Sequence, residues 1–408
     1  MYSWRKETDK DKTIKYILFF INPIIGLLCS FNKMNTKSSY NILFLFCLVF
    51  GLSFTVESSF WTDVAGYLDG MHHRADFERY LRFKSWDDLK TIFYNTFIGA
   101  GEKDYYAPLM KFLVSRVTNN YHVFFLVISF VFTYFSLNSF KYFLFEIGNK
   151  NSFSIYMLAY LFLSIQIFQI NGVRFFTAAW VAIYALFKIL VDKQNKFLLL
   201  LLITPLIHRA FFFLLVVCVI FFFLNRFQKL WIVLYFISFF LSEVVINFLS
   251  QYLNLLSDNY LVWANMYIER TYNFGDGGYF FDLFAFFVRT FRNLLIILLI
   301  SNSKEVIKNR QVKGLFVFVL VLVTFTNLTM PISNLGSRFS MLLYPLIAYI
   351  WIVVMRNKYV WVWYILPFVY FYKAFYYDPI FLYSCVLEPC FFYSSPIYLI
   401  YKYLILPI

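Results

Sequence analysis

Gly314-Leu-Phe-Val-Phe-Val-Leu-Val-Leu-Val-Thr-Phe-Thr-Asn-Leu-Thr-Met330 carries no charge over its whole length. A membrane-spanning helix needs about 20 such residues, and this run approaches that. Similar runs recur along the chain at Ile14–Ser30 (interrupted by Asn22-Pro23), Tyr40–Val56, Tyr121–Ser139, Phe153–Ile170 and Arg174–Val191. They continue at Phe197–Ile207, Ala210–Leu224, Leu230–Leu249, Tyr279–Ile300, Phe339–Met355, Tyr359–Tyr376 and the proline-broken Ile380–Ile408. An open strand cannot satisfy its backbone in lipid, so these runs are read as helices. The strict alternation of a membrane barrel is absent. The expected fold class is all-α: a polytopic integral membrane helical bundle of about 10–12 spanning helices, with residues 1–408 as a single membrane domain.

Composition agrees. Of 408 residues, 61% are hydrophobic and 14% charged, with 56 Phe and 33 Tyr. A soluble protein must wet its surface and has no place for so many rings. Soluble enzymes, disordered proteins, nucleic-acid binders and secreted disulfide scaffolds are thereby excluded. The net charge of +14 has its source in short basic loops rather than in a nucleic-acid surface. Cys29, Cys47, Cys218, Cys385 and Cys390 show no CxxC spacing, which points away from a zinc site.

Orientation follows from lysine and arginine. One set of loops holds Lys33, Lys37, Lys141, Lys150, Lys188, Lys193, Lys196, Arg226, Lys229, Lys304, Lys308, Arg310, Lys313, Arg356 and Lys358, against only Glu146, Asp192 and Glu305. These loops are expected in the cytoplasm. The opposite set, Glu57–Asn120, Gln251–Gly278 and Pro331–Ser337, then faces outward. The basic N-terminal tail (Arg5, Lys6, Lys10, Lys12, Lys15) fits this scheme only if its first segment fails to cross; otherwise the tail is outside, offset by Glu7, Asp9 and Asp11. No small-residue cleavage site follows it, so it is read as retained. Phe197–Ile207 and Ala210–Leu224 are too short to cross and read as a tilted hairpin or a broken helix pair around His208-Arg209.

Residues 57–120 form the one long polar stretch, an outer-loop subregion with nine acidic and eight basic residues. It reads as short helices, for example Trp86–Phe97, that could cover the membrane core as a lid or substrate-binding cap.

Ionisable residues inside spanning segments mark function by default. Five arginines qualify, all toward the outer side: Arg174 at the start of a helix, Arg209 beside His208, Arg289 and Arg292 inside Tyr279–Ile300, and Arg338 opening Phe339–Met355. Arg289 and Arg292 are three apart and share a helical face, where Asp282 could pair with them. An arginine near a helix end can also simply snorkel to the headgroups. The coincidence of five favours an anion, because guanidinium binds phosphate in bidentate fashion. A diphosphate-bearing lipid suits such a cluster. His208 can act as general base or be a hydrogen-bonded structural histidine. Asp63 and Asp69, near Trp61 and Tyr67, could hold sugar hydroxyls or take a proton, while Asp63 could equally cap a helix. No Walker loop, GxGxxG, HExxH, GxSxG or metal-binding DxD occurs. No metal and no cofactor are expected.

With these residues in view, the pattern resembles the EpsG-like and Wzy-type polymerases of bacterial surface polysaccharides. In the EpsG-like pattern an aspartate and a tyrosine four residues on follow the second helix; Asp63 and Tyr67 match. The arginine and glycine usual upstream of that aspartate are missing from Glu57-Ser-Ser-Phe60. Arg174 in Asn171-Gly-Val-Arg-Phe175 matches the arginine that opens a mid-chain helix. His208 matches the histidine ending a short apolar run, and Arg338-Phe339 the pair opening a late helix. The resemblance implies a glycosyltransferase of the bacterial cytoplasmic (inner) membrane. It would transfer a growing glycan from undecaprenyl diphosphate to another lipid-linked repeat unit, building an O-antigen, capsule or exopolysaccharide. Arg174, Arg209, Arg289, Arg292 and Arg338 would bind the diphosphate, Asp63 or His208 would act as base, and Trp61, Tyr67 and Asp69 would hold sugars. The implied partners are the lipid-linked oligosaccharide, membrane lipids, a flippase and a chain-length regulator, with no nucleic acid. A glycan ligase would use nearly the same site, and a transporter of lipid-linked sugars would also want a basic outward cavity, but should show internal repeats.

Overall fold

The computed structural model describes residues 4–31, 33–54, 77–81, 85–99, 104–147, 167–242, 244, 247, 251, 279–330, 332–355, 357–359, 361–362 and 390–406. Among these residues the extended structure is helical throughout. In chain order the helices are α1 (Asp9–Ile21), α2 (Pro23–Phe31), α3 (Lys37–Leu52), α4 (Trp86–Phe97), α5 (Tyr106–Ser115), α6 (Tyr121–Ile147), α7 (Phe175–Leu190) and α8 (Leu198–Ile207). There follow α9 (Phe211–Leu224), α10 (Gln228–Ser238), α11 (Tyr279–Ser301), α12 (Ser303–Lys308), α13 (Lys313–Leu328), α14 (Ser333–Ile350), α15 (Cys390–Tyr393) and α16 (Pro396–Ile400). A π-turn at Trp351–Met355 extends α14. Two helices among the described residues, Tyr121–Ile147 and Leu335–Met355, are long and apolar enough to cross a membrane. Six further apolar helices among the described residues run 10–17 residues. Most of the runs Phe153–Ile170 and Tyr359–Tyr376 lies outside the described residues.

The chain forms two compact units. Unit 1 comprises Met1–Phe93, Asp104–Tyr184 and Phe371–Ile408; unit 2 comprises Tyr94–Lys103 and Ala185–Tyr370.

In unit 1 the first apolar run is a helical hairpin formed by α1 and α2. Thr8 caps α1 by accepting the Asp11 N–H at 3.2 Å, and Asp9 and Asp11 sit in the first turn, where the helix dipole favours them. The helix stops at Asn22, whose extended backbone (φ −155°) is the conformation that a following proline imposes. Pro23 then opens α2, where a missing N–H costs nothing. The Asn22 carboxamide oxygen accepts from Ile24 and Ile25 N–H at 2.9 and 3.2 Å, and its NH2 donates to Phe392 O at 2.9 Å. The arms touch: a Cβ on Gly26 would lie 2.4 Å from Phe19 Cα. At about 20 Å, α1 is too short to cross about 30 Å of hydrocarbon.

The tail therefore ends beside the α2–α3 turn. Arg5 N–H donates to Asn35 O at 3.0 Å and Lys33 pairs with Asp11 at 2.8 Å, holding the Asp11 carboxyl below its ordinary range. Lys15 and Glu7 form a buried ion pair. The Lys15 ammonium also donates to Ser39 Oγ at 2.8 Å and Thr36 Oγ1 at 3.2 Å. Arg5, Lys10, Lys12, Lys33 and Lys37 thus belong to one end of the unit, and Lys141 joins them, 4.4 Å over the Tyr40 ring.

Helix α6 lies antiparallel against α3. Ser129 Oγ donates to Cys47 O at 2.6 Å, and the Phe54 and Phe125 rings meet at 4.6 Å. Gly51 makes this approach possible, since a Cβ there would sit 2.2 Å from Ser129 Cβ and 3.0 Å from Phe125 O. The C-terminal segment covers the same pair: Phe391 packs on Phe46 and Phe50, and Asn120 donates to Tyr403 O.

Unit 2 is built round α13, buried at every position from Leu315 to Val323. A helix apolar on all sides belongs in such a place. Phe318 meets Phe221 of α9 at 5.4 Å, and Phe325 meets Trp231 of α10 at 6.4 Å. Helices α8 and α9 are separate elements, as expected, with the break at His208-Arg209. Their outward residues, including Leu199, Leu202, Leu206, Phe212, Val216 and Phe223, are exposed large apolar side chains. A face of this size needs an apolar surrounding.

Replacing Gly51 by alanine forces α3 and α6 apart and should lower stability by about 1–3 kcal/mol. Thermal unfolding of the detergent-purified variant checks this; an unchanged midpoint would contradict the close approach.

Candidate functional site

Placing an arginine in an apolar bundle requires fixed acceptors, and unit 2 shows how one is met. Arg292 on α11 is 2% exposed. Its Nη2 donates to Asn327 Oδ1 at 3.3 Å and to Asn293 Oδ1 at 3.1 Å, and its Nε reaches Asn293 Oδ1 at 3.3 Å. Asn327, near the end of α13, is itself held, its NH2 donating to Ser238 Oγ at 3.1 Å. Ser238 in turn donates to Tyr235 O at 2.6 Å. The polar chain Arg292–Asn327–Ser238 thus ties α11, α13 and α10 together.

Arg289 differs from its neighbour. It is exposed and forms no hydrogen bond or ion pair among the described residues. The two arginines, which share a helical face, thus differ in their surroundings: three residues are a 300° turn, and here that places Arg292 against Asn327 while Arg289 opens to the surroundings. Tyr344 of α14 lies within electrostatic reach of both guanidinium groups. The Asp282 side chain, a possible partner, lies outside what is described.

Arg338 does not open its helix as expected. Helix α14 starts at Ser333, so Arg338 sits in the second turn, half-buried. The early start follows from a tight return: a Cβ on Gly336 would lie 2.6 Å from Met330 Cα and 2.7 Å from Thr329 O. The next residue, Phe339, is fully buried and packs on Phe211 and Phe213 of α9 at 5.1 and 5.0 Å. The start of α9, the end of α13 and the start of α14 therefore meet at one end of unit 2.

The α8–α9 turn brings two more residues to that end. Arg209 donates from Nη2 to Thr96 O. His208 is 8% exposed, and its Nδ1 accepts the Ala210 N–H at 3.2 Å. That bond places the proton of the neutral ring on Nε2, so the imidazole offers a donor there. The other end of unit 2 is rich in lysine. Lys188 pairs with Asp192 and Lys358 with Glu305, and Lys193 donates to Leu190 O at 2.6 Å.

Arg174 belongs to unit 1. A 3-10 turn, Ile167–Gly172, precedes it, and its Nη1 donates to Asp104 Oδ2 at 3.0 Å. Asp63, Trp61, Tyr67 and Asp69 lie outside the described residues. The sequence reasoning missed Asp104, which looked like one acid among nine in the loop. It also missed Asn327, Asn293 and Ser238, which carry no charge to draw attention. Asn327 could have been found as the amide that interrupts the run Gly314–Met330.

A chain with buried and half-buried arginines at one end of a helical unit and lysines at the other matches a family model over residues 40–395, that of the EpsG family. The chain belongs to the EpsG family. EpsG proteins are Wzy-like polysaccharide polymerases, which makes this a membrane protein of polysaccharide biosynthesis with polymerase-type activity. Comparison with curated proteins and with solved structures gave no match.

In this EpsG-family protein Arg292→Met leaves the Asn327 and Asn293 oxygens unpaired and should cost about 1–3 kcal/mol. Arg289→Met removes no such bond and should shift stability by less than about 0.5 kcal/mol. Unfolding midpoints of the two purified variants check the contrast; equal losses would overturn the assignment of Arg292 as the held residue.

Proposed function

We propose that this EpsG-family protein joins lipid-diphosphate-linked oligosaccharide repeat units into a surface polysaccharide at the outer face of the bacterial cytoplasmic membrane. The observation that carries the reading is the arginine end of unit 2, with Arg289 exposed and Arg292 anchored behind it. The whole chain is taken as polytopic. Its lysine-rich ends face the cytoplasm by the positive-inside rule, so the Arg209, Arg289, Arg292 and Arg338 end faces outward.

In the proposed step a sugar hydroxyl of one lipid-linked unit attacks the anomeric carbon of the glycan on the other. The bond from that carbon to the diphosphate oxygen breaks, and the lipid diphosphate leaves with the electron pair. Guanidinium groups stabilise the charge that develops on it. Arg289 and Arg338 are the candidates for direct contact, while Arg292 adds charge from behind. His208 lies at the same end, in the α8–α9 turn. The hydroxyl proton goes to a carboxylate, and Asp63 is the residue the family resemblance offers for it. Trp61, Tyr67 and Asp69 would hold the sugars. A flippase must supply the lipid-linked unit and a chain-length regulator would act on the product.

Gel profiling of surface glycan from a deletion strain tests this. Single repeat units replacing the wild-type ladder, with complementation by the wild-type gene and at least about tenfold less polymer with Arg289→Ala, are expected. Absence of every repeat unit from the surface would point to transport or ligation instead. The topology has its own check. Single cysteines at Lys10 and Lys33 should both react with an impermeant maleimide only after the cytoplasmic side is opened, and labelling of Lys10→Cys in intact cells would overturn the returning hairpin.

A further inference from the structure

We propose that Asp104 is a positioning residue that sets the Arg174 guanidinium for the anionic part of the substrate. The inference rests on the polymerase reading and concerns unit 1 alone.

Arg174 is fixed from two sides. Its backbone is set by a strained turn: Val173 has φ +41°, a left-handed conformation that β-branched residues rarely adopt. Such strain persists only where the surroundings over-determine it, and it gathers at functional positions. Here Val173 is fully buried, its N–H donates to Ile170 O at 2.8 Å, and its carbonyl accepts from Thr177 Oγ1 at 2.7 Å. The Arg174 carbonyl in turn accepts the Ala178 N–H at 2.9 Å, starting α7.

The side chain is set by Asp104. That carboxylate is 2% exposed, so its charge acts in a poorly screened environment. One charge-assisted bond, from Nη1, removes much of the rotational freedom of a long side chain. The pair engages only part of the five-donor fork. The Arg174 Nε–H is shielded from solvent and has no partner among the described residues. Buried donors of this kind are rare and ask for an acceptor. A phosphoryl or carboxylate oxygen at the Nε edge would satisfy it while Asp104 keeps Nη1. A purely structural ion pair explains neither the strained Val173 nor the orphaned Nε.

The experiment uses membranes of the deletion strain carrying Asp104→Asn, Asp104→Glu, Arg174→Lys or the double variant Asp104→Asn/Arg174→Lys. They are supplied with the strain's own lipid-linked repeat unit at varied concentration, and variant protein is quantified by immunoblot. Asp104→Asn is expected to accumulate normally and to lower kcat/KM per molecule about tenfold or more. Asp104→Glu should recover part of the loss. The double variant should be no worse than Arg174→Lys alone, because both changes remove one function. Wild-type kcat/KM in Asp104→Asn would overturn the proposal. So would losses that follow protein abundance alone, or losses that multiply in the double variant. The polymerase reading fails differently: wild-type membranes would then form no ladder from the repeat unit.

Discussion

A guanidinium inside an apolar bundle must be held by dipoles that are already in place, because no water can reorganise around it. The Arg292–Asn327–Ser238 chain is that arrangement. It requires α13 to end in polar residues after a long apolar stretch, and α10 to bring Ser238 alongside. The tight return at Gly336 follows from the same geometry, since α14 must start close to Asn327 to carry Arg338 to the same end. Arg289 is spared these bonds, and its charge remains available for a ligand.

The two breaks between short helices face a related constraint. A helix that turns back before crossing exposes backbone groups where lipid offers nothing to bind them. Both breaks answer with a side chain at the joint. Asn22 accepts the first N–H groups of α2, and His208 accepts the Ala210 N–H at the start of α9. In each case the polar residue that looks anomalous in an apolar run is the one that makes the turn tenable. For His208 this also decides which ring nitrogen carries the proton.

Much of this architecture was legible in the amino-acid order. Trp86–Phe97 and the break around His208-Arg209 appear as read, because composition and length alone determine them. The start of α14 was not legible: Ser333 to Gly336 has no apolar periodicity, and what recruits it to the helix is a backbone approach to Met330. The different fates of Arg289 and Arg292 escaped for a similar reason. Spacing gives the face of a helix, whereas the partner comes from α13, far along the chain. Asp104 was hidden by the opposite problem, a loop so rich in acids that only three-dimensional proximity to Arg174 singles one out.

The Asn22 bond to Phe392 spans 370 positions. It has a consequence for biogenesis. Asn22 is synthesised 370 residues before the carbonyl it binds, so the α1–α2 hairpin first forms without this contact. Lys15 and Glu7 hold α1 in the meantime, and unit 1 closes over the hairpin only once Phe392 has been made.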